Sequence, residues 1–155
     1  MRWAVACDHT AVELKHHLMQ QLASAGHTVV DCNPAVKADD KDNYALIADD
    51  LCKQVLSGAA DFGLLMCGSG QGSAMRANRH PGIRAALVVN EYMAEMARYH
   101  NDANVLVLGS RVVTPQIAER LLRLFAATGY EGGRHVSRVA AIDAPVETPN
   151  LKRPS

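Results

Sequence analysis

The sequence predicts an α/β fold with a parallel sheet covered by helices on both faces. Two observations carry that prediction. Short β-rich runs alternate five times with longer helical segments, and the segments joining successive runs are too long for hairpins. Crossovers in such a chain are right-handed.

Trp3 to Cys7 reads as a buried strand. Val12 to Ala25 follows with apolar residues at Val12, Leu14, Leu18, Leu22 and Ala25, close to helical spacing. Gly26 stands where a C-cap glycine belongs. His27 to Cys32 reads as the second strand. Asn33 to Asn43 holds Pro34 and the run Asp39-Asp40-Lys41-Asp42, a loop composition. Tyr44 to Leu56 is helical and stops at Ser57-Gly58. Asp61 to Cys67 is the third strand, Gly68 to Gly72 a glycine-rich turn, and Ser73 to Asn78 the start of a helix. Ile83 to Val89 is strand four, Glu91 to His100 a helix, Asn104 to Leu108 strand five, and Pro115 to Ala127 a helix. The last ten residues, Val146 to Ser155, carry two prolines and little apolar content. They read as a loose tail behind one domain at 1–145, as suits a chain of 155 residues.

Composition excludes several functions. An apolar fraction of 48% with 21% charged residues is that of a globular protein. Sixteen basic and sixteen acidic residues cancel, so neither nucleic acid nor an anionic membrane is expected as the main partner. Aromatics at 5% are too few for a base-stacking platform. No apolar run approaches the ~20 residues of a membrane helix, and Asp8 and His9 break the first apolar stretch too early for a signal peptide. The expected location is the cytoplasm. Cys7, Cys32, Cys52 and Cys67 form no C-x-x-C pair. Cys32 and Cys52 read as packing thiols, and His16, His17, His27 and His80 as ordinary histidines. No ligand spacing points to a catalytic metal.

In a parallel sheet, ligands gather outside the carboxyl ends of the strands. That rule selects Cys7-Asp8-His9, Cys67 to Gly72, and Gly109-Ser110-Arg111. The glycine turn does not complete a dinucleotide fingerprint, because Met75 stands where the third glycine would be, and no Gly-Lys-Ser/Thr follows. It still lets a ligand approach the backbone, and the N–H groups of a helix start favour negative charge. Cys67 precedes those donors, where an anionic sulfur is stabilised. Such a thiolate suits proton abstraction beside a carbonyl, with the turn holding the developing oxyanion. The alternative is a core cysteine beside an empty tight turn. His100-Asn101-Asp102 ends a helix, and Arg134 and Arg138 are four apart, so on a helix they would share a face and could grip one phosphate. Singly, each of these also fits a cap or a solvated surface.

Together the residues resemble a known family. Cys7-Asp8-His9 with Leu14-Lys15, Cys67-Gly68-Ser69-Gly70-x-Gly72 with Ala77-Asn78-Arg79, and Gly82-Ile83-Arg84-Ala85 come first. His100-Asn101-Asp102-Ala103-Asn104, Gly109-Ser110-Arg111-Val112, and Glu131-Gly132-Gly133-Arg134-His135 with Arg138-Val139 follow in order. From about Trp3 to Ile142 the chain resembles the type B ribose-5-phosphate isomerases, whose wider family includes galactose- and allose-phosphate isomerases. The resemblance implies a three-layer α/β/α, Rossmann-like fold with a five-stranded parallel sheet. It implies a homodimer, sometimes paired into a tetramer, with active sites shared between subunits, and no metal or organic cofactor.

It also implies roles for matching residues. Cys67 would be the base moving a proton between C2 and C1 of a sugar phosphate. Gly68, Gly70, Gln71 and Gly72 would offer main-chain N–H groups to the enediolate. His100 and Ser69 would assist ring opening, and Asp8 and Asn101 would bind sugar hydroxyls. His9, Arg134 and Arg138 would bind the phosphate together with Arg111. Some members instead use a glutamate just after the turn; here Ser73 follows it and Cys67 is present, as in the cysteine branch. Two places depart from the pattern. Asp40-Lys41-Asp42-Asn43-Tyr44-Ala45 replaces Asp-Tyr-Pro-x-Tyr-Ala, and Met75-Arg76 replaces smaller or uncharged residues. The expected reaction is ribose 5-phosphate to ribulose 5-phosphate. The alternatives are a six-carbon or modified sugar phosphate, and a non-catalytic sugar-phosphate-binding module.

Overall fold

Trp3, Val5 and Cys7 point to one side of the first strand, and Ala4 and Ala6 to the other, all five fully buried. A strand apolar on both faces must lie inside a sheet covered twice. The computed structural model describes residues 1–41 and 43–145. The predicted tail, 146–155, lies outside the described residues.

The elements are β1 (Arg2–Cys7), α1 (Val12–Ser24), β2 (Thr28–Asp31), α2 (Tyr44–Leu56), β3 (Phe62–Cys67), α3 (Gln71–Ala77) and β4 (Ala85–Leu87). Then follow α4 (Glu91–Tyr99), β5 (Val105–Gly109), α5 (Pro115–Ala127) and α6 (Val136–Asp143). The five strands pair in parallel in the order β2-β1-β3-β5-β4. Helices α1, α4 and α5 cover one face through Leu18, Ala94, Leu121 and Phe125. Helices α2 and α3 cover the other through Ala48, Leu51, Ala74 and Ala77. This is the expected three-layer α/β/α fold. Fully buried side chains such as Leu64, Leu106 and Leu121 each contribute on the order of 1.5–3 kcal/mol.

Local chemistry fixes where the helices begin. Asn43 Oδ1 accepts from the Ala45 N–H at the start of α2, and Asn90 Oδ1 from the Met93 N–H at the start of α4. Thr114 caps α5, and Pro115 opens its first turn.

Two elements differ from the sequence expectation by more than one residue at an end, and one helix is additional. β4 is shorter than Ile83 to Val89, because it is an edge strand paired only with β5. α3 begins at Gln71 rather than Ser73, since Gly70 completes the turn at φ +78° and the helix starts directly after it. α6 was not predicted. None of its residues is buried in this chain, although Val136, Val139 and Ala140 stand at helical spacing. Among the described residues, no helix is long and apolar enough to cross a membrane.

Candidate active site

The chain leaves β1 for α1 and later leaves β3 for α3, and β1 and β3 are neighbours in the sheet. Their carboxyl ends therefore face one crevice. Three turns meet there. Asp8 donates its main-chain N–H to the Met66 carbonyl at 3.1 Å. Its Oδ1 accepts from the Thr10 N–H at 2.9 Å and from the Thr10 hydroxyl at 2.5 Å. Ser110 Oγ then donates to the Thr10 carbonyl at 3.0 Å. The Ser110 N–H donates to the Cys67 carbonyl at 2.9 Å, and the Arg111 N–H to the Gly68 carbonyl at 3.0 Å. Asp8 is buried, and the Nδ1 of neighbouring His9 is buried with no hydrogen-bond partner among the described residues.

The glycine turn is built around Cys67. This residue ends β3 opposite Gly109 of β5 and is 5% exposed. The Gly70 N–H donates to Cys67 Sγ at 3.2 Å, and the Gln71 N–H to Ser69 Oγ at 3.3 Å. Gly70 has a left-handed backbone, and a Cβ there would stand 2.4 Å from Leu87 Cδ1. Only glycine fits both conditions. A Cβ at Gly72 would stand 2.6 Å from the Tyr44 ring. Tyr44 thus lies across the first turn of α3, three residues after Lys41. Lys41 itself is exposed.

A second group of candidates lies elsewhere. His100 caps the C-terminus of α4, and the chain then passes through Asn101 and Asp102 to the Asn104 carbonyl, which accepts from the Gly63 N–H near the start of β3. Cys67 lies four residues further along that strand, about 13 Å at strand rise. Within one chain, Asp8, His9, the glycine turn and Arg111 gather at the carboxyl edge. His100 and Asn101 stand at the amino edge, and the structure does not bring the two groups together.

Two residues beside His100 carry no role in the sequence reading. The His135 ring stacks on the His100 ring with centroids 4.2 Å apart and planes 10° from parallel. Glu131 Oε2 lies 3.0 Å from His135 Nε2. Nothing in sequence spacing joins His100 to His135; only the shared Glu-Gly-Gly-Arg-His stretch hints at them. Arg134 sits in a 3-10 turn, Gly133–His135, that runs directly into α6, where Arg138 lies in the first turn. The two arginines are therefore not on one regular helix.

His100, Glu131 and His135 could hold a cation, since their ligand atoms lie within 4.8 Å of one another. The charges around them oppose it. The Arg134 guanidinium approaches His135, Nε to Nε2 at 3.2 Å, and so brings a positive charge to the place a metal would take. Burial pushes the pKa of His135 below its ordinary value. His100, Arg134 and Arg138 push it further down, against the pull of Glu131. The positive charges of Arg134 and Arg138 disfavour a metal ion there and suit an anion.

Arg76 is accounted for within the chain. It forms two hydrogen bonds to Asp49 of α2, at 2.7 and 2.8 Å, and His80 Nε2 lies 2.7 Å from the same carboxylate. Its hydrogen bonds to Asp49, with His80 second, hold that carboxyl down at about 2. Cys32 and Cys52 are pushed up to about 11 and 12, mainly by burial, as expected of packing thiols.

Comparison with known proteins agrees with the geometry. The family model described as Ribose/Galactose Isomerase matches residues 3–142. Ribose-5-phosphate isomerase B of Escherichia coli is 38% identical over 141 residues, 91% of this chain and 93% of that protein. Ribose-5-phosphate isomerase B of Clostridium thermocellum superposes with a TM-score of 0.89 at 36% identity, covering 92% of this chain and 95% of that one. The enzyme from Mycoplasma genitalium, solved with bound ribulose 5-phosphate, superposes with a TM-score of 0.87 at 38% identity, covering 92% and 93%. With residues 3–142 and nearly its whole length matched, the chain belongs to the ribose/galactose isomerase family.

Proposed function

We propose that the protein interconverts ribose 5-phosphate and ribulose 5-phosphate through an enediolate, as a homodimer with shared sites. The observation that carries this reading is the Gly70 N–H on Cys67 Sγ at 3.2 Å. It holds a strand-end thiol over a turn whose helix-start N–H groups lack intrahelical partners. The E. coli and Mycoplasma genitalium relatives are named for this reaction, and the latter holds the ketose product. Four free thiols suit a reducing compartment and support a cytoplasmic location.

The chemistry follows from the parts. Ring opening breaks the bond between C1 and the ring oxygen. A proton leaves the anomeric hydroxyl and one reaches the ring oxygen, an exchange served by His100 and Ser69. The Cys67 thiolate then takes the proton from C2. The C2–H electron pair forms the C1–C2 double bond, and the carbonyl pair moves onto O1. The N–H groups of Gly68, Gly70, Gln71 and Gly72 hold that charge. A proton passes from O2 to O1, and the thiol returns its proton to C1, leaving the ketone at C2. Atoms and electrons balance with no external oxidant. Asp8 and Asn101 bind sugar hydroxyls; His9, Arg111, Arg134 and Arg138 bind the phosphate.

The two candidate groups lie at opposite edges of one sheet. A two-fold partner supplies the missing half of each site, reciprocally. The exposed apolar side chains of Tyr44, Met75 and Tyr92 are available to such an interface. A panel of five- and six-carbon sugar phosphates, assayed for aldose–ketose conversion, tests the reading. Turnover of ribose 5-phosphate above the others is expected. A six-carbon preference would move the substrate, and no turnover of any would leave a binding module.

A further inference from the structure

We infer that Arg84 is a positioning residue that ties the His100–Asn101–Asp102 turn to α6, so that ring opening and phosphate binding are held in one register. The inference rests on the roles proposed above for His100 and Arg138; the contacts themselves do not.

Arg84 stands just before β4, its main chain clamped to Asn104. Its N–H donates to Asn104 Oδ1 at 2.8 Å, and its carbonyl accepts from the Asn104 N–H at 3.1 Å. The guanidinium, 16% exposed, then divides its donors between two elements. Nε donates to the Asp102 carbonyl and Nη2 to Asp102 Oδ2, both at 2.9 Å, while Nη1 donates to Asp143 Oδ2 at 2.8 Å. Asp102 belongs to the turn after His100, and Asp143 to the last turn of α6.

Both partners need the tie. Among the described residues, Asp102 is the non-glycine residue with positive φ, at +45°. A residue in that conformation persists where its surroundings over-determine it. Here its carboxylate sits between Arg84 and Arg98, whose Nη1 donates to Oδ1 at 2.7 Å. Arg98 is itself buried, with its guanidinium 4.7 Å from the centroid of the Phe62 ring. The turn that follows His100 is thus set by two arginines. α6 has the opposite problem. It is eight residues long, none of them buried, and Val136 and Ile142 are more than half exposed. A short helix without a buried face is marginal by itself, and the Arg84–Asp143 pair fixes its far end. Arg138 lies five residues before Asp143 on that helix. Only a planar fork serves both carboxylates and the carbonyl at once, so lysine does not substitute.

The test separates the two ties with isosteric variants of the full-length protein. Asp143→Asn should raise KM for ribose 5-phosphate and weaken inhibition by inorganic phosphate, each ~5-fold, with kcat held. Asp102→Asn keeps a residue tolerant of positive φ and should lower kcat ~10-fold with little change in KM. Arg84→Lys should show both defects. Hydrogen exchange should be faster in Arg84→Lys at the amides of 136–143 and 100–103. A purely structural ion pair would lower thermal stability and leave kcat and KM at their native values below the transition. Native kinetics in all three variants, or unchanged exchange, overturns the inference. Should the native protein turn over no sugar phosphate, the proposed function fails instead. Calorimetry of inorganic phosphate binding to native protein and Asp143→Asn then decides this inference, and equal affinities overturn it.

Discussion

The Gly70 N–H points at the Cys67 sulfur across 3.2 Å, so the turn and the thiol are one unit. The contact fixes the Cys67 rotamer at the end of β3 and directs the sulfur to the N–H groups that open α3. Cys67→Ala should therefore cost ~10²-fold or more in kcat, the scale of a lost general base. Competitive inhibition by inorganic phosphate should stay close to native, since affinity comes from the phosphate and hydroxyl contacts. Near-native turnover would make Cys67 a packing residue.

Gly70→Ala tests the turn rather than the thiol. A side chain at φ +78° costs about 1–2 kcal/mol, and the new Cβ also meets Leu87 Cδ1 at 2.4 Å. The variant should melt several degrees lower and lose turnover as the N–H moves off the sulfur. A crystal structure or amide shifts showing the turn unmoved, with full activity, would contradict this.

Arg134→Ala and Arg138→Ala should chiefly raise KM, by weakening charge-assisted contacts to phosphate. Inorganic phosphate should inhibit both variants less than the native protein. Equal inhibition would place the anion site away from the His100–His135 stack.

How much of this was legible in the sequence depends on the kind of signal. Trp3 to Cys7 is apolar on both faces, so a doubly covered strand followed from composition. The polar ends of β1, β3 and β5 followed from the rule for parallel sheets, and they do meet, through Thr10 and Ser110. The Asp8–Thr10 bonds come from the structure alone. α6 is hard to read because it spans eight residues and its short apolar stripe, Val136, Val139 and Ala140, buries nothing in this chain. The His100–His135 stack joins residues on separate segments, and no periodicity reports such a contact. Arg76, a departure in the sequence, is explained only by the fold: its partner, Asp49, lies on the neighbouring helix of the same face.

The Asp49 carboxyl gives a prediction about pH. Its pKa is held at about 2, below its ordinary value, first by the hydrogen bond from Arg76. A depressed carboxyl adds stability that is complete above its unfolded pKa, about 4, and is lost as pH falls through the folded value. Arg76→Ala should therefore melt below the native protein at pH 7. The gap should narrow as pH falls from about 4 towards 2. A gap of constant size would show that Arg76 acts through packing rather than charge.

The final prediction concerns assembly. The Asn104 carbonyl meets the Gly63 N–H at the start of β3, while Cys67 ends the same strand at the other edge. The turn after α4 therefore cannot serve the Cys67 of its own chain without crossing the thickness of the sheet edge to edge. In a two-fold dimer each Cys67 would face the partner's His100. Cys67→Ala and His100→Ala should each be inactive alone. Mixed and allowed to exchange subunits, they should form hybrids with one site holding both native residues and one lacking both. At equal amounts, random exchange makes half of the dimers hybrid, so about a quarter of all sites regain both residues. Different tags on the two variants would allow the hybrid to be isolated and its activity measured directly. A purified hybrid with only parental activity would mean that one chain builds the whole site, by a route this sheet geometry does not provide.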